Sequence, residues 1–258
     1  MTKPIGIFDS GVGGTSILKE IHALLPNENI IYLADSKNAP YGDRSSEEIK
    51  SLSVKNTEFL LMKECKIIVV ACNTATTNAI ASLRSQYDTP FVGIEPAIKP
   101  AALQTKTNTV GILATKGTLS SSLFHKTSNL FASDIEVIEQ IGDGIVRLIE
   151  DGKLESQDMV DLLQTYLDPM VKAKIDYLVL GCTHYSYLIP LLKEMLPDSV
   201  TIIDSGEAVA RQTKHLLIKN GLVSDSSIKG TVSLLTNGDP EIINAITRHK
   251  YPVTQGTF

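Results

Sequence analysis

Nowhere in the 258 residues does an apolar run approach the roughly 18 residues that a membrane-spanning helix requires, so no membrane partner is expected. Cysteine is scarce. Only Cys65, Cys72 and Cys182 occur, an odd number with no C-x-x-C pair, which argues against a disulfide framework, a zinc knuckle or any other metal site. No cluster of basic residues relieves the net charge of −5, and nucleic acid is therefore not an expected partner. A single site can still be positive inside a negative protein, so an anionic substrate stays open. The glycines of Gly11-Val12-Gly13-Gly14 lack the Lys and hydroxyl of a P-loop and the spacing of a dinucleotide fingerprint, which leaves no signature of a nucleotide cofactor.

What is present is a globular composition, 43% hydrophobic and 21% charged, in a chain long enough for one large domain or two ordinary ones. Met1 to Asp9 reaches a carboxylate after a short apolar stretch. It reads as a first strand rather than a signal peptide, and a cytoplasmic setting is expected. Continuous apolar runs then recur: 5–8, 30–33, 67–71, 91–94, 110–114, 135–138, 177–180, 200–203 and 232–235. Runs without alternation predict parallel strands covered on both faces. Between them lie helical patterns over 15–25, 46–64, 76–86, 119–131, 144–150, 157–172, 187–196 and 207–220. Ser45-Ser46-Glu47-Glu48 carries the hydroxyl cap and first-turn carboxylates of a helix start. The alternation predicts an α/β fold with mainly parallel sheets. Two prolines in Glu95-Pro96-Ala97-Ile98-Lys99-Pro100 mark a boundary and a candidate hinge, after which the pattern begins again. Gly6-Ile7-Phe8 matches Gly111-Ile112-Leu113, and Cys72 matches Cys182 at a closely similar spacing, as for one unit repeated into two similar lobes.

Ligands of open parallel sheets sit beyond the carboxyl ends of the strands. In this chain those ends carry Asp9-Ser10-Gly11, Tyr41-Gly42, Cys72-Asn73-Thr74, Thr115 with Thr118, and Cys182-Thr183-His184. The set is rich in hydroxyls, amides and backbone donors and has no Arg or Lys, so it suits a carboxylate held by neutral donors and helix N-termini. A thiol where a strand yields to a helix can become a thiolate. Cys65 lacks such surroundings and reads as packing. Asp204-Ser205-Gly206 repeats the letters of the first strand end and reads as a structural turn. Three functions remain open on these residues: proton transfer by two thiols, a hydrolase or transferase using one Cys with His184, and a two-lobed binding protein without catalysis.

In this order Asp9-Ser10-Gly11-Val12-Gly13-Gly14, Tyr41-Gly42, Cys72-Asn73-Thr74-Ala75-Thr76 and Gly181-Cys182-Thr183-His184-Tyr185 resemble the bacterial glutamate racemases of the aspartate/glutamate racemase superfamily. The resemblance runs from the first strand to Gly206. It implies two α/β lobes, 1–97 completed by 207–258, and 98–206, with glutamate enclosed between them and no cofactor. It further implies that Cys72 and Cys182 are the paired acid/bases, acting on the D- and L-isomer respectively, with Asp9 and His184 assisting them. Glu150 matches an acidic residue near the amino group. Ser10, Tyr41, Gly42, Asn73, Thr74 and Thr183 fall on the substrate-binding motifs, beside Asp9 and His184 themselves. His184 favours glutamate over aspartate or hydantoin substrates, and the product is D-glutamate for the cell wall. A homodimer is the expected assembly, as for most soluble enzymes.

Overall fold

A computed structural model describes residues 3–258. Among them the strands are β1 (Ile5–Asp9), β2 (Ile30–Ala34), β3 (Ile67–Val70), β4 (Phe91–Gly93), β5 (Thr109–Ala114), β6 (Glu136–Ile141), β7 (Tyr177–Gly181), β8 (Thr201–Ile203), β9 (Val232–Thr236) and β10 (Val253–Gln255). They form two sheets, ordered β10-β9-β2-β1-β3-β4 and β6-β5-β7-β8, with every pairing parallel. The order β2-β1-β3-β4 recurs in the second sheet as β6-β5-β7-β8. Both sheets are flanked by helices, so the protein is a two-sheet α/β fold.

The helices are α1 (Thr15–Leu24), α2 (Ser46–Met62), α3 (Asn73–Gln86), α4 (Ile98–Gln104), α5 (Lys116–Leu119), α6 (Ser122–Phe131), α7 (Ile145–Glu150), α8 (Gln157–Lys172), α9 (Ile189–Met195), α10 (Gly206–Lys219) and α11 (Pro240–Thr247). At the start of α2, Ser45 Oγ accepts from Glu48 N–H while the Glu48 carboxylate accepts from Ser45 N–H, a reciprocal cap that satisfies two donors. None of these helices is long and apolar enough to cross a membrane.

Strand alternation sorts the core. In the first sheet Ile5, Ile7, Tyr32, Ile67 and Val69 face one cluster, while Phe8, Leu33, Ile68 and Val70 face another across the sheet. The first of these clusters continues through Leu113, Leu178 and Leu180 of the second sheet, so apolar packing is continuous between the lobes. Each fully buried aliphatic side chain contributes roughly 1.5–3 kcal/mol relative to exposure. Cys65 is buried, and a side chain on Gly6 would collide with its Sγ, which makes it a packing residue as expected.

The nine predicted strands are all present, and several boundaries differ from the pattern. Helix α3 begins at Asn73 instead of Thr76, because Cys72 caps it. The helix predicted over 119–131 is α6 and starts three residues later, at Ser122, because Ser121 Oγ accepts from Phe124 N–H and caps it; the short α5 before it was not predicted. The segment predicted as helix from Tyr187 begins as a 3-10 turn, Thr183–Leu188, before α9 takes over with Pro190 in its first turn. Helices α4 and α11 and strand β10 were not anticipated. In α4, Pro100 lies among the first N–H positions, which need no intrahelical partner, so it is compatible with the helix. Strand β6 is a half-exposed edge carrying Glu136 and Glu139 rather than a doubly covered strand. Ser205, in the repeated Asp-Ser-Gly, donates to the Glu95 carbonyl and Gly206 N–H bonds Asp204, a structural junction between the two segments that link the sheets.

Candidate active site

Strand order reverses beside β1 in the first sheet and beside β5 in the second, and such reversals open a crevice at the strands' carboxyl ends. Those crevices hold the two cysteines. Cys72 follows β3 and its Sγ accepts from Ala75 N–H at 3.4 Å at the N-terminus of α3. Cys182 follows β7 and lies 3.8 Å from His184 Nδ1. One chamber is lined by both, together with Ser10, Pro40, Tyr41, Gly42, Asn73, Thr74, Thr115, Val146 and His184. Its volume is about 10 Å³, barely the space of one water. No Lys or Arg lines it. Both thiols are reduced and buried.

Behind this lining each cysteine has its own chain of polar groups. The Cys72 thiol donates to Ser10 Oγ at 3.6 Å, and the Ser10 hydroxyl donates to Asp9 Oδ1 at 3.3 Å. Asp9 also accepts from Gly11 N–H at 2.7 Å and from the Thr183 hydroxyl, across the lobes, at 2.8 Å. On the other side His184 Nε2 lies 2.6 Å from Glu150 Oε1, which accepts Val12 N–H at 2.7 Å. Asp9, Thr183 and Glu150 are therefore not on the chamber wall; they hold groups that are. Thr118 is likewise behind the wall, with Thr74 and Thr115 within 3.3 and 3.0 Å of its hydroxyl. Thr74 and Thr115 themselves meet across the lobes at 2.8 Å. The Tyr41 hydroxyl is committed to Asp35 at 2.5 Å and accepts from Asn56, so only its ring faces the chamber. Asn73 Nδ2 is a buried donor without a protein partner.

Burial dominates the acid–base character. It pushes the Cys72 thiol up to about 12, an effect the nearby Asp9 charge reinforces and the Ala75 N–H and Ser10 bonds oppose. Asp9 is raised to about 6 by burial, against the pull of His184 and the Thr183 and Gly11 donors. For His184 burial alone works downward, but the hydrogen bonds and charges of Cys182 and Glu150 overcome it and hold the imidazole well above its ordinary value.

The glycines after β1 serve contact between the lobes instead of a phosphate. A Cβ on Gly11 would overlap the Glu150 carboxylate, and one on Gly13 would overlap the His184 ring and backbone. Pro40 and Val146 line the chamber without having been singled out by sequence. Pro40 precedes Tyr41-Gly42, and Val146 lies one helical turn before Glu150, so adjacency to named residues was the available signal. Outside the chamber, and sharing Pro40, Gly42, Thr115 and Val146 with it, lies a vestibule of about 980 Å³ with Arg44, Lys116 and Arg147 on its wall.

A thiol from each lobe therefore faces one small chamber, with polar groups behind each. The chain matches the Asp/Glu/Hydantoin racemase family over residues 5–213. It is 48% identical over 238 residues to the glutamate racemase of Herpetosiphon aurantiacus, covering 92% of this chain and 94% of that protein. A glutamate racemase isoform from Bacillus anthracis superposes with a TM-score of 0.87 at 31% identity, covering 99% of this chain and 98% of the other. Escherichia coli glutamate racemase, solved with L-glutamate and the activator UDP-MurNAc-ala, gives 0.84 at 34% identity, covering 98% and 97%. The chain therefore belongs to the Asp/Glu/Hydantoin racemase family. Within it, this protein is an isomerase of the glutamate racemase kind.

Proposed function

We propose that the protein interconverts L- and D-glutamate by proton transfer between two thiols, with no cofactor, in the cytoplasm, and that its D-product supplies peptidoglycan synthesis. The observation that carries this reading is that Cys72 and Cys182, from different sheets, line a single chamber. Inverting a carbon through a carbanion-like state requires a base on one face and an acid on the other. With L-glutamate bound, the Cys182 thiolate takes the α-proton and the Cys72 thiol delivers its own to the opposite face; D-glutamate reverses the roles. A charge on Cys182 discourages one on Cys72, which disfavours two thiolates in the chamber at once. Ser10 and Asp9 accept the Cys72 proton when that thiol must act as base. Asn73 Nδ2, the hydroxyls of Thr74 and Thr115, and the N-terminus of α3 supply donors to the substrate carboxylates, where charge grows in the transition state.

The lobes of this enzyme are 1–97 with 207–258, and 98–206; the pairing of β9 with β2 and the packing of α10 on α1 support that division. A homodimer of the 28.0 kDa chain is its proposed assembly. The test is racemisation in heavy water. Wild-type protein washes solvent deuterium into the α-position of either glutamate isomer, and Cys72→Ser or Cys182→Ser each slow interconversion by on the order of 10²–10⁴-fold. Racemisation that survives in both variants, or a covalent adduct on one cysteine with no exchange, would sink the proposal.

A further inference from the structure

After each L-to-D turnover the two-thiol reading leaves Cys182 as a thiol and Cys72 as a thiolate, the reverse of what the next L-glutamate needs. One proton must leave Cys182 and one must reach Cys72 before the enzyme can repeat the same direction. The chamber, at about 10 Å³, has no room for a water chain to do this.

Glu150 borders a second cavity. That cavity holds about 260 Å³, shares only Pro40 and Val146 with the chamber, and is also lined by Ser36, Arg147 and Asp151. At roughly 30 Å³ per water it accommodates several waters. Ser36 has a shielded hydroxyl with no protein partner, the kind of group that hydration satisfies. The Glu150 side chain is 13% exposed whereas His184 is 1% exposed, so the carboxylate is where the chain of groups behind Cys182 meets solvent.

We infer that Glu150 is a proton-relay residue that resets Cys182 through this second cavity, by way of His184. The inference rests on the two-thiol reading above. Part of what holds His184 above its ordinary value is the charge of the Cys182 thiolate; with Cys182 a thiol that support is gone, and the neutral imidazole presents Nε2–H to Glu150 Oε1 and Nδ1 to the thiol. The Cys182 S–H bond breaks to form Nδ1–H, the Nε2–H bond breaks to form Glu150 O–H, and Glu150 passes that proton to water. One proton leaves Cys182, one from solvent is taken up by Cys72, and no electrons are transferred.

The experiment uses L-glutamate carrying hydrogen or deuterium at the α-carbon, with full-length wild-type, Glu150→Gln and Glu150→Ala proteins. Glu150→Gln keeps an oxygen for Val12 N–H and His184 but cannot shuttle a proton. Its kcat is expected to fall about tenfold or more, with the α-deuterium isotope effect on kcat smaller than in wild type, because reset and not proton abstraction becomes limiting. Added formate is expected to restore kcat in Glu150→Ala. An unchanged kcat, or a loss that keeps the full isotope effect and ignores formate, overturns the relay and leaves Glu150 as a support for His184. Deuterium wash-in by wild-type protein is measured first: its absence sinks the racemisation reading itself, while its presence with an unresponsive Glu150→Gln sinks only the relay.

Discussion

At the scale of single residues, Cys72 combines a structural and a chemical task, capping α3 with the sulfur that faces the chamber. Its partner Asp9 links that task to pH. With its value raised to about 6, Asp9 is protonated below that pH and, on the proposed mechanism, could no longer accept a proton from Cys72. Conversion of D-glutamate is expected to lose rate as pH falls through about 6, and Asp9→Asn is expected to be slow without that limb, as pH–rate profiles check. The same shift bears on stability. The folded value lies above 3.8, so this group's contribution is full below 3.8 and declines as pH rises through about 6. Asp9→Asn flattens that decline in a series of Tm measurements across pH. Gly13→Ala places a methyl into His184 and is predicted to cost about 1–3 kcal/mol by denaturant unfolding, with loss of activity. Cysteines at apolar strand ends are legible because their surroundings are local. The pairing of Gly11 with Glu150 and of Gly13 with His184 is not, since it joins residues more than a hundred positions apart, and the commitment of the Tyr41 hydroxyl to Asp35 is hidden by the turn between them.

At the scale of elements, hydrophobic runs identify strands well because parallel strands buried on both faces need little else. Helix starts were less legible where an uncommon residue does the capping. A thiol in place of a hydroxyl hid the first turn of α3, and the cap at Ser121 moved the start of α6 past the predicted one. Strand β10 spans three residues at a sheet edge, too few for a periodic signal, and α4 was obscured by Pro100. Helix α8 shows the ordinary case, burying Met159, Leu163, Leu167 and Met170 at helical spacing. Leu163→Ala is expected to destabilise by about 2–5 kcal/mol in urea titration, with kcat per folded molecule unchanged because the side chain is remote from the chamber.

At the scale of the whole molecule, the repeated order β2-β1-β3-β4 and β6-β5-β7-β8 sets equivalent strand ends on one site, which the matched glycines and cysteines had foreshadowed. The mouth is spanned by Arg147 and Asp43, 2.7 Å apart and both well exposed. Exposed pairs add at most about 1 kcal/mol to stability, so Arg147→Ala is expected to leave Tm nearly unchanged. Its effect belongs to entry: KM for glutamate is expected to rise a few-fold and to depend less on salt, since one of the three vestibule cations that attract the substrate is gone.

The near absence of free space around the thiols also governs affinity. On the proposed function, a chamber with room for about one water requires the lobes to part before glutamate enters, and apparent binding is then weaker than the intrinsic grip by the fraction of molecules parted at any instant. Any ligand that merely props the lobes apart, touching neither sulfur, would therefore tighten the first encounter with substrate, and one that wedges them shut would silence an otherwise intact enzyme.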